Sequence, residues 1–272
     1  MGQKSNLLTI KKTKKVGSLA SLNSQSFIKG HLFLDNFLKL LKGKNIYLAK
    51  KEFQSENNNF FLNLSLFFCS RKLVDFRKRD FKKQQHSKKN IQFFKNEGIK
   101  KIFKNLFQSS KSVSVNVKNI NNFLTRSDLI FLYKTFDRFN KILFPRRFSL
   151  FIDFIKMTSL FSQSNLSLNL YLFTLGNIFK VLPKNKHGVF LSFLKSLFQT
   201  LIVKKSLLEN SKILGVKFLI SGKLKGKPRS STSCIQVGRV PIQSVSKSVN
   251  FSKLNVYTLG GAFGFKMWVY KK

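Results

Sequence analysis

The segment Gly215-Val-Lys-Phe-Leu-Ile-Ser-Gly-Lys-Leu-Lys-Gly-Lys-Pro-Arg229 decides how the chain is read. Its first half, Val216–Ser221, is apolar apart from Lys217 and Ser221, which predicts a strand. Its second half places Lys223, Lys225, Lys227 and Arg229 on a turn punctuated by Gly222, Gly226 and Pro228. No Asp or Glu follows Glu209, so nothing nearby in sequence neutralises those four cations. A flexible cationic turn at the end of a strand suits an irregular polyanion, because each Lys or Arg displaces condensed counterions from a phosphate. Downstream, Cys234–Val237 predicts a second strand, Gly238-Arg-Val-Pro241 a tight turn presenting Arg239, and Phe265–Tyr270 a closing strand. Residues 215–272 hold seven of the 14 Gly, two of the four Pro and the single Trp. The expectation is a small, mostly antiparallel sheet.

Working outward, the composition agrees. The 272 residues carry 51 Lys+Arg against 10 Asp+Glu, a formal net charge of +41. So much uncompensated charge excludes a free-standing cytosolic enzyme, which would repel itself and bind any polyanion it met. Hydrophobic residues make up 43% of the chain and 32 are Phe, which excludes disorder throughout. Nucleic acid is the commonest partner for such a chain. The 42 Lys and 23 Asn against three Ala also suggest an A+T-rich gene, so each Phe is read first as core packing rather than base stacking.

Catalytic and metal chemistry find little footing. The acids are unpaired, and no phosphate-binding or dinucleotide fingerprint is present. Cys69 and Cys234 lie far apart without a CxxC, and His31, His86 and His187 are scattered, each read as a surface residue. The expectation is no cofactor and no metal. The longest uncharged stretch, Met157–Phe179, contains ten Ser, Thr, Asn or Gln, so it reads as a buried or interfacial segment with no stable membrane span. Gly261-Ala-Phe-Gly264 matches the GxxG of a nucleic-acid clamp but sits in a strand-like segment. Close backbone approach within a sheet is the better reading.

The rest of the chain divides as follows. Residues 1–30 form a basic arm with six Lys and no acid. A helix is expected over Ile28–Leu41, a half-buried strand over Phe60–Phe68, a charged loop over Arg71–Lys89, a helix over Ile91–Phe107 and a strand over Ser112–Val117. Residues 119–187 show helical patterns broken at Pro145 and turning at Pro183–Gly188, and Val189–Val203 predicts another helix.

Three ordered blocks carry a family resemblance: 215–226, Gly238-Arg-Val-Pro241, and Tyr257-Thr258 with Gly264-Phe-Lys-Met-Trp-Val-Tyr270. Together they resemble the C-terminal domain of universal small-subunit ribosomal protein three, and Met1-Gly-Gln-Lys4 is similar to that family's start. The resemblance implies an α+β chain with a KH-like N-terminal domain over 31–118, an expansion over 119–187 and an α/β C-terminal domain over 188–272. The KH loop falls at Lys95-Asn-Glu-Gly98, a degenerate clamp lacking the first Gly and placing Glu97 toward phosphate. Bacterial members carry a basic cluster where mRNA enters, on the helix before the sheet; in Val189–Val203 only Lys195 is basic.

The expected role is a structural constituent of the head of an organellar small subunit, mitochondrial rather than plastid. Its partners would be small-subunit rRNA, mRNA, and neighbouring proteins ten and fourteen. Lys223, Lys225, Lys227, Arg229 and Arg239 are the principal expected phosphate contacts, with Lys247, Lys253 and Lys266 secondary. An intron-associated nuclease or maturase and a basic membrane-surface protein are the alternatives. The first would need clustered metal-binding acids, and the second would draw on anionic lipid.

Overall fold

A computed structural model describes residues 46–56, 59–69, 112–143, 148–163, 165–203, 211–227, 229–244 and 247–271. The basic arm, the helices expected over Ile28–Leu41 and Ile91–Phe107, the loop Arg71–Lys89 and the Lys95–Gly98 clamp lie outside the described residues. The fold is α+β, and the described residues divide into two compact units between Phe123 and Leu124.

The first unit holds β1 (Ile46–Glu56), β2 (Asn59–Phe68) and β3 (Ser112–Asn119) in the order β1-β2-β3. β1 and β2 form an antiparallel hairpin with a register shift between Leu48 and Lys50. β3 runs parallel to β2, with Leu64 opposite Val117. β1 has no clean alternation in sequence and was not expected. In β2 the alternation places Leu64 and Leu66 on a buried face, while Asn63 bonds across to Asn116 at 3.2 Å. Phe67 is also buried, as are the adjacent Ile46 and Tyr47 of β1, so both faces are covered there. Asn121, in the 3₁₀ turn after β3, donates to the Phe68 carbonyl at 2.9 Å and closes the sheet's end.

The second unit is helices packed on a sheet. α1 (Arg126–Leu143) buries Leu132, Phe136, Asn140 and Leu143 along one stripe. α2 (Phe148–Ser162) and α3 (Leu168–Val181) are buried around most of their circumference, as expected for interior helices. Met157–Phe179 is therefore a buried segment, as its sequence suggested, split by the break before Ser167. The Ser167 hydroxyl caps α3 by accepting from the Leu170 amide. No helix among the described residues is long and apolar enough to cross a membrane. α4 (His187–Ile202) buries Phe190, Phe193, Leu194, Leu197, Phe198 and Leu201, the i, i+3, i+4, i+7 stripe of an amphipathic helix. It begins two residues before the predicted helix, after a 3₁₀ turn at Lys184–Lys186.

The sheet contains β4 (Ile213–Gly222), β5 (Ser231–Gly238), β6 (Val249–Thr258) and β7 (Gly261–Lys271). It is wholly antiparallel, in the order β5-β4-β7-β6. β4, β5 and β7 match the expected strands. β6 was not expected, because its polar residues Asn250, Ser252, Lys253 and Asn255 hide the alternation. α3 packs on β6 and β7, and α4 packs on β4 and β5, all on one face. The sheet therefore draws its cover from helices on both sides of residue 188. Gly176 marks the closest approach: a Cβ there would meet Leu254 Cδ2 at 2.7 Å and Val256 Cγ2 at 2.9 Å.

Aromatic rings fill the layer between helices and sheet. Phe179 packs edge-on against Phe263 and Phe265, and Phe218 contacts both Phe198 and Phe265. Phe161 stacks face to face on Tyr171 at 4.2 Å, and Lys271 Nζ of β7 lies 5.0 Å from the Phe161 ring centroid. These Phe residues are core, the first reading the composition offered.

Candidate nucleic-acid interface

All eight expected contact residues are exposed, and the sheet sorts them into three groups. The first is the β4–β5 connection. β4 ends at Gly222, and the chain turns through a short 3₁₀ segment, Leu224–Gly226, before β5. Leu224 is buried and anchors the turn, while Lys223, Lys225, Lys227 and Arg229 point outward. Lys225 has φ +55, the left-handed region that a side chain with a Cβ rarely adopts. The surrounding structure holds it there. Its backbone N–H donates to His187 Nδ1 at 3.4 Å, and its side-chain stem runs over Gly188.

His187 is only 4% exposed, which corrects its reading as a surface residue. Its ring lies against Phe179, with centroids 4.4 Å apart. Burial, and then the charge of Lys184, hold the imidazole below its ordinary pKa. A neutral ring keeps a nitrogen free to accept. The residue helps to shape the cationic loop instead of facing solvent.

Lys184 belongs to this group and was not singled out from sequence. Its stem passes Gly226 and Gly260, so it bridges the loop and the β6–β7 turn. Its neighbour Lys186 donates to the Ile142 carbonyl at 2.6 Å, which fixes the 3₁₀ turn against the end of α1. Lys184 and Lys225 thus stand at the first turn of α4, the positive end of a helix dipole, where cations are disfavoured unless an anion joins them. The acid-free turn Pro183-Lys-Asn-Lys186 was the available signal.

The second group is at the opposite end of the strands. Gly215 pairs with Gly238, and Gly222 with Ser231, so Arg239 is separated from the loop by seven residue steps of β4. At strand spacing that is roughly 23 Å. The Arg239 backbone crosses Gly215 so closely that a Cβ there would fall 2.2 Å from its carbonyl oxygen. Lys247 is at this end too, with Nζ 6.0 Å from the Tyr270 ring.

The third group is on the sheet face turned away from α3 and α4, where Lys253 and Lys266 are direct cross-strand partners. Lys217 shares this face, its Nζ 5.9 Å from the Trp268 ring, and was missed because it lies inside an apolar run. Gly261 and Gly264 do not form a clamp. They lie in the first half of β7; a Cβ on Gly264 would lie 2.8 Å from Ser221 Oγ, the close approach expected, whereas nothing approaches Gly261 within 4 Å and its φ of +121 is what favours glycine there. Among the described residues no group of three His, Cys, Asp or Glu is placed to hold a metal ion.

No known family profile matches the chain. Individual proteins do. The chain is 35% identical over 68 residues to small ribosomal subunit protein uS3c of Chlamydomonas moewusii, covering 25% of this chain and 8% of that protein. It is 35% identical over 63 residues to uS3c of Cyanidium caldarium, covering 23% and 30% respectively. It is 32% identical over 71 residues to uS3 of Carsonella ruddii, covering 26% and 35%. The match therefore spans about a third or less of these relatives' own length. Over about a quarter of its length, the chain is similar to proteins named small ribosomal subunit protein uS3.

Proposed function

We propose that this protein is a structural, non-enzymatic constituent of a small ribosomal subunit that binds and stabilises folded rRNA. One observation carries the reading: an acid-free four-stranded sheet presents four exposed cations on one loop, with Lys225 in the left-handed region and its N–H bonded to His187. Lys223, Lys225, Lys227 and Arg229, joined by Lys184, are the principal phosphate contacts, with Arg239 at the far end and Lys247, Lys253 and Lys266 secondary. The mechanism is charge neutralisation and shape-fitting, with no bond chemistry. Three separated cationic groups suit immersion in folded RNA better than one flat binding face does.

By family resemblance the protein belongs in the subunit head, beside proteins ten and fourteen and near the point where mRNA enters. Relatives from plastids and bacteria widen the compartment from the mitochondrion to any organelle with a bacterial-type ribosome. The parallel β2–β3 pair supports a KH-like N-terminal domain, since a parallel return needs a crossover of about a dozen residues or more.

Two measurements test the reading. The native protein should co-sediment with small subunits at high magnesium. Lys225→Ala, Lys227→Ala and Arg229→Ala together should reduce the salt slope of rRNA binding by roughly two to three. An unchanged slope removes the loop from the interface.

A further inference from the structure

The outer face of the four-stranded sheet differs in chemistry from the loop. Phe251 and Trp268 are direct cross-strand partners, with ring centroids 5.1 Å apart and planes inclined by 38°. Trp268 also has Lys217 opposite it on β4. Tyr270 is two residues farther along β7, so it lies on the same face. All three rings are partly exposed, whereas Phe263, Phe265 and Met267, which alternate with Trp268 and Tyr270 along β7, are buried under the helices. The adjacent row puts exposed Lys253 directly opposite exposed Lys266. Like charges facing each other across strands are destabilising, and residues 210–272 contain no acid to separate them.

A partner for this face must therefore bring negative charge to one row and flat apolar surface to the next. Duplex RNA supplies phosphates but keeps its bases stacked inside, whereas unpaired nucleotides offer both. We infer that this face binds a single-stranded RNA segment, its bases stacked on Phe251 and Trp268 and its phosphates beside Lys253 and Lys266. The inference rests on the rRNA-binding reading above and names the kind of RNA that this second surface takes.

Trp268 is the only Trp in the chain, so its emission reports on this face alone. The full-length protein is titrated with a short oligouridine, an RNA hairpin duplex and polyphosphate. Oligouridine should quench Trp268 at saturation, and the duplex and polyphosphate should quench it far less. Phe251→Leu should weaken oligouridine binding about tenfold, the scale of one lost base–aromatic stack, while duplex binding stays unchanged. Lys253→Gln with Lys266→Gln alters only exposed positions and relieves a repulsion, so folding is preserved; it should lower the oligouridine salt slope by about one.

Equal quenching by polyphosphate, or oligouridine affinity unmoved by both variants, overturns the inference. So does a Trp268 emission that small-subunit proteins shift and RNA does not, which would assign the face to a protein contact. If the loop variants still weaken rRNA binding in that case, only this inference fails. If the native protein binds rRNA no better than it binds polyphosphate, the rRNA reading fails with it.

Discussion

The two faces of the four-stranded sheet are built from alternate residues of the same strands. Along β7, Phe263, Phe265, Met267 and Val269 point to the helices and are excluded from water, whereas Lys266, Trp268 and Tyr270 point the other way and are not. Backbone, local composition and genomic bias are shared, so the difference in chemistry comes from what each face meets. The inner face meets α3 and α4 and takes aromatics as packing volume. The outer face carries aromatics between lysines, and no acid in the last quarter of the chain compensates them. A charge that looks uniform in the composition is therefore layered in space, kept out of the core and concentrated at the loop, the far end and the open face.

The contrast can be broken most severely from the inside. Phe218→Ala removes a fully buried ring that touches Phe198 and Phe265. It should destabilise the second unit by about 3–5 kcal/mol. Thermal melts at high salt, where the net charge is screened, would show the loss, and an unchanged midpoint would mean that the inner face is not the core. Gly176→Ala tests the α3–β6 crossing. The new Cβ must displace Leu254 and Val256, at a cost of about 1–2 kcal/mol by the same measurement.

The outer face should respond in the opposite sense. Lys266→Glu turns a repulsive cross-strand pair into an attractive one, so it should add up to about 1 kcal/mol of stability while weakening RNA binding. A variant that loses both stability and binding would show that Lys266 has a packing role. A smaller effect sharpens the link between inner face and loop. The imidazole of His187 is held below its ordinary pKa, so the folded state binds its proton less readily than the unfolded chain does. Stability is then complete above the ordinary imidazole value of about 6.5 and falls as the pH drops below it toward the lowered folded value. Chemical denaturation at pH 7.5 and 5.5 should show this loss, and His187→Phe should abolish that part of it.

Much of the candidate site was legible in the sequence because its signals are local. Gly222-Lys-Leu-Lys-Gly-Lys-Pro-Arg229 declares a cationic turn through its own glycines and proline, and β4, β5 and β7 declare themselves by apolar runs. β1 and β6 did not, because a strand paired along an edge needs no alternation strong enough to read alone. Lys217 looked like an interruption in a strand, and only strand register places it over Trp268. His187 looked like a scattered surface residue, and only the packing of α4 under the β4–β5 loop buries it.

What the sequence determined by itself is the strong excess of positive charge and the α+β character, since net charge and hydrophobic periodicity are properties of the chain in any conformation. Which cations act together was left to the tertiary structure. Register sets Lys253 against Lys266, antiparallel pairing sends Arg239 to the far end of β4, and the 3₁₀ turn before α4 brings Lys184 to the loop. Coulombic and stacking interactions depend on separation in space, and residues far apart in sequence acquire a separation only when the strands pair.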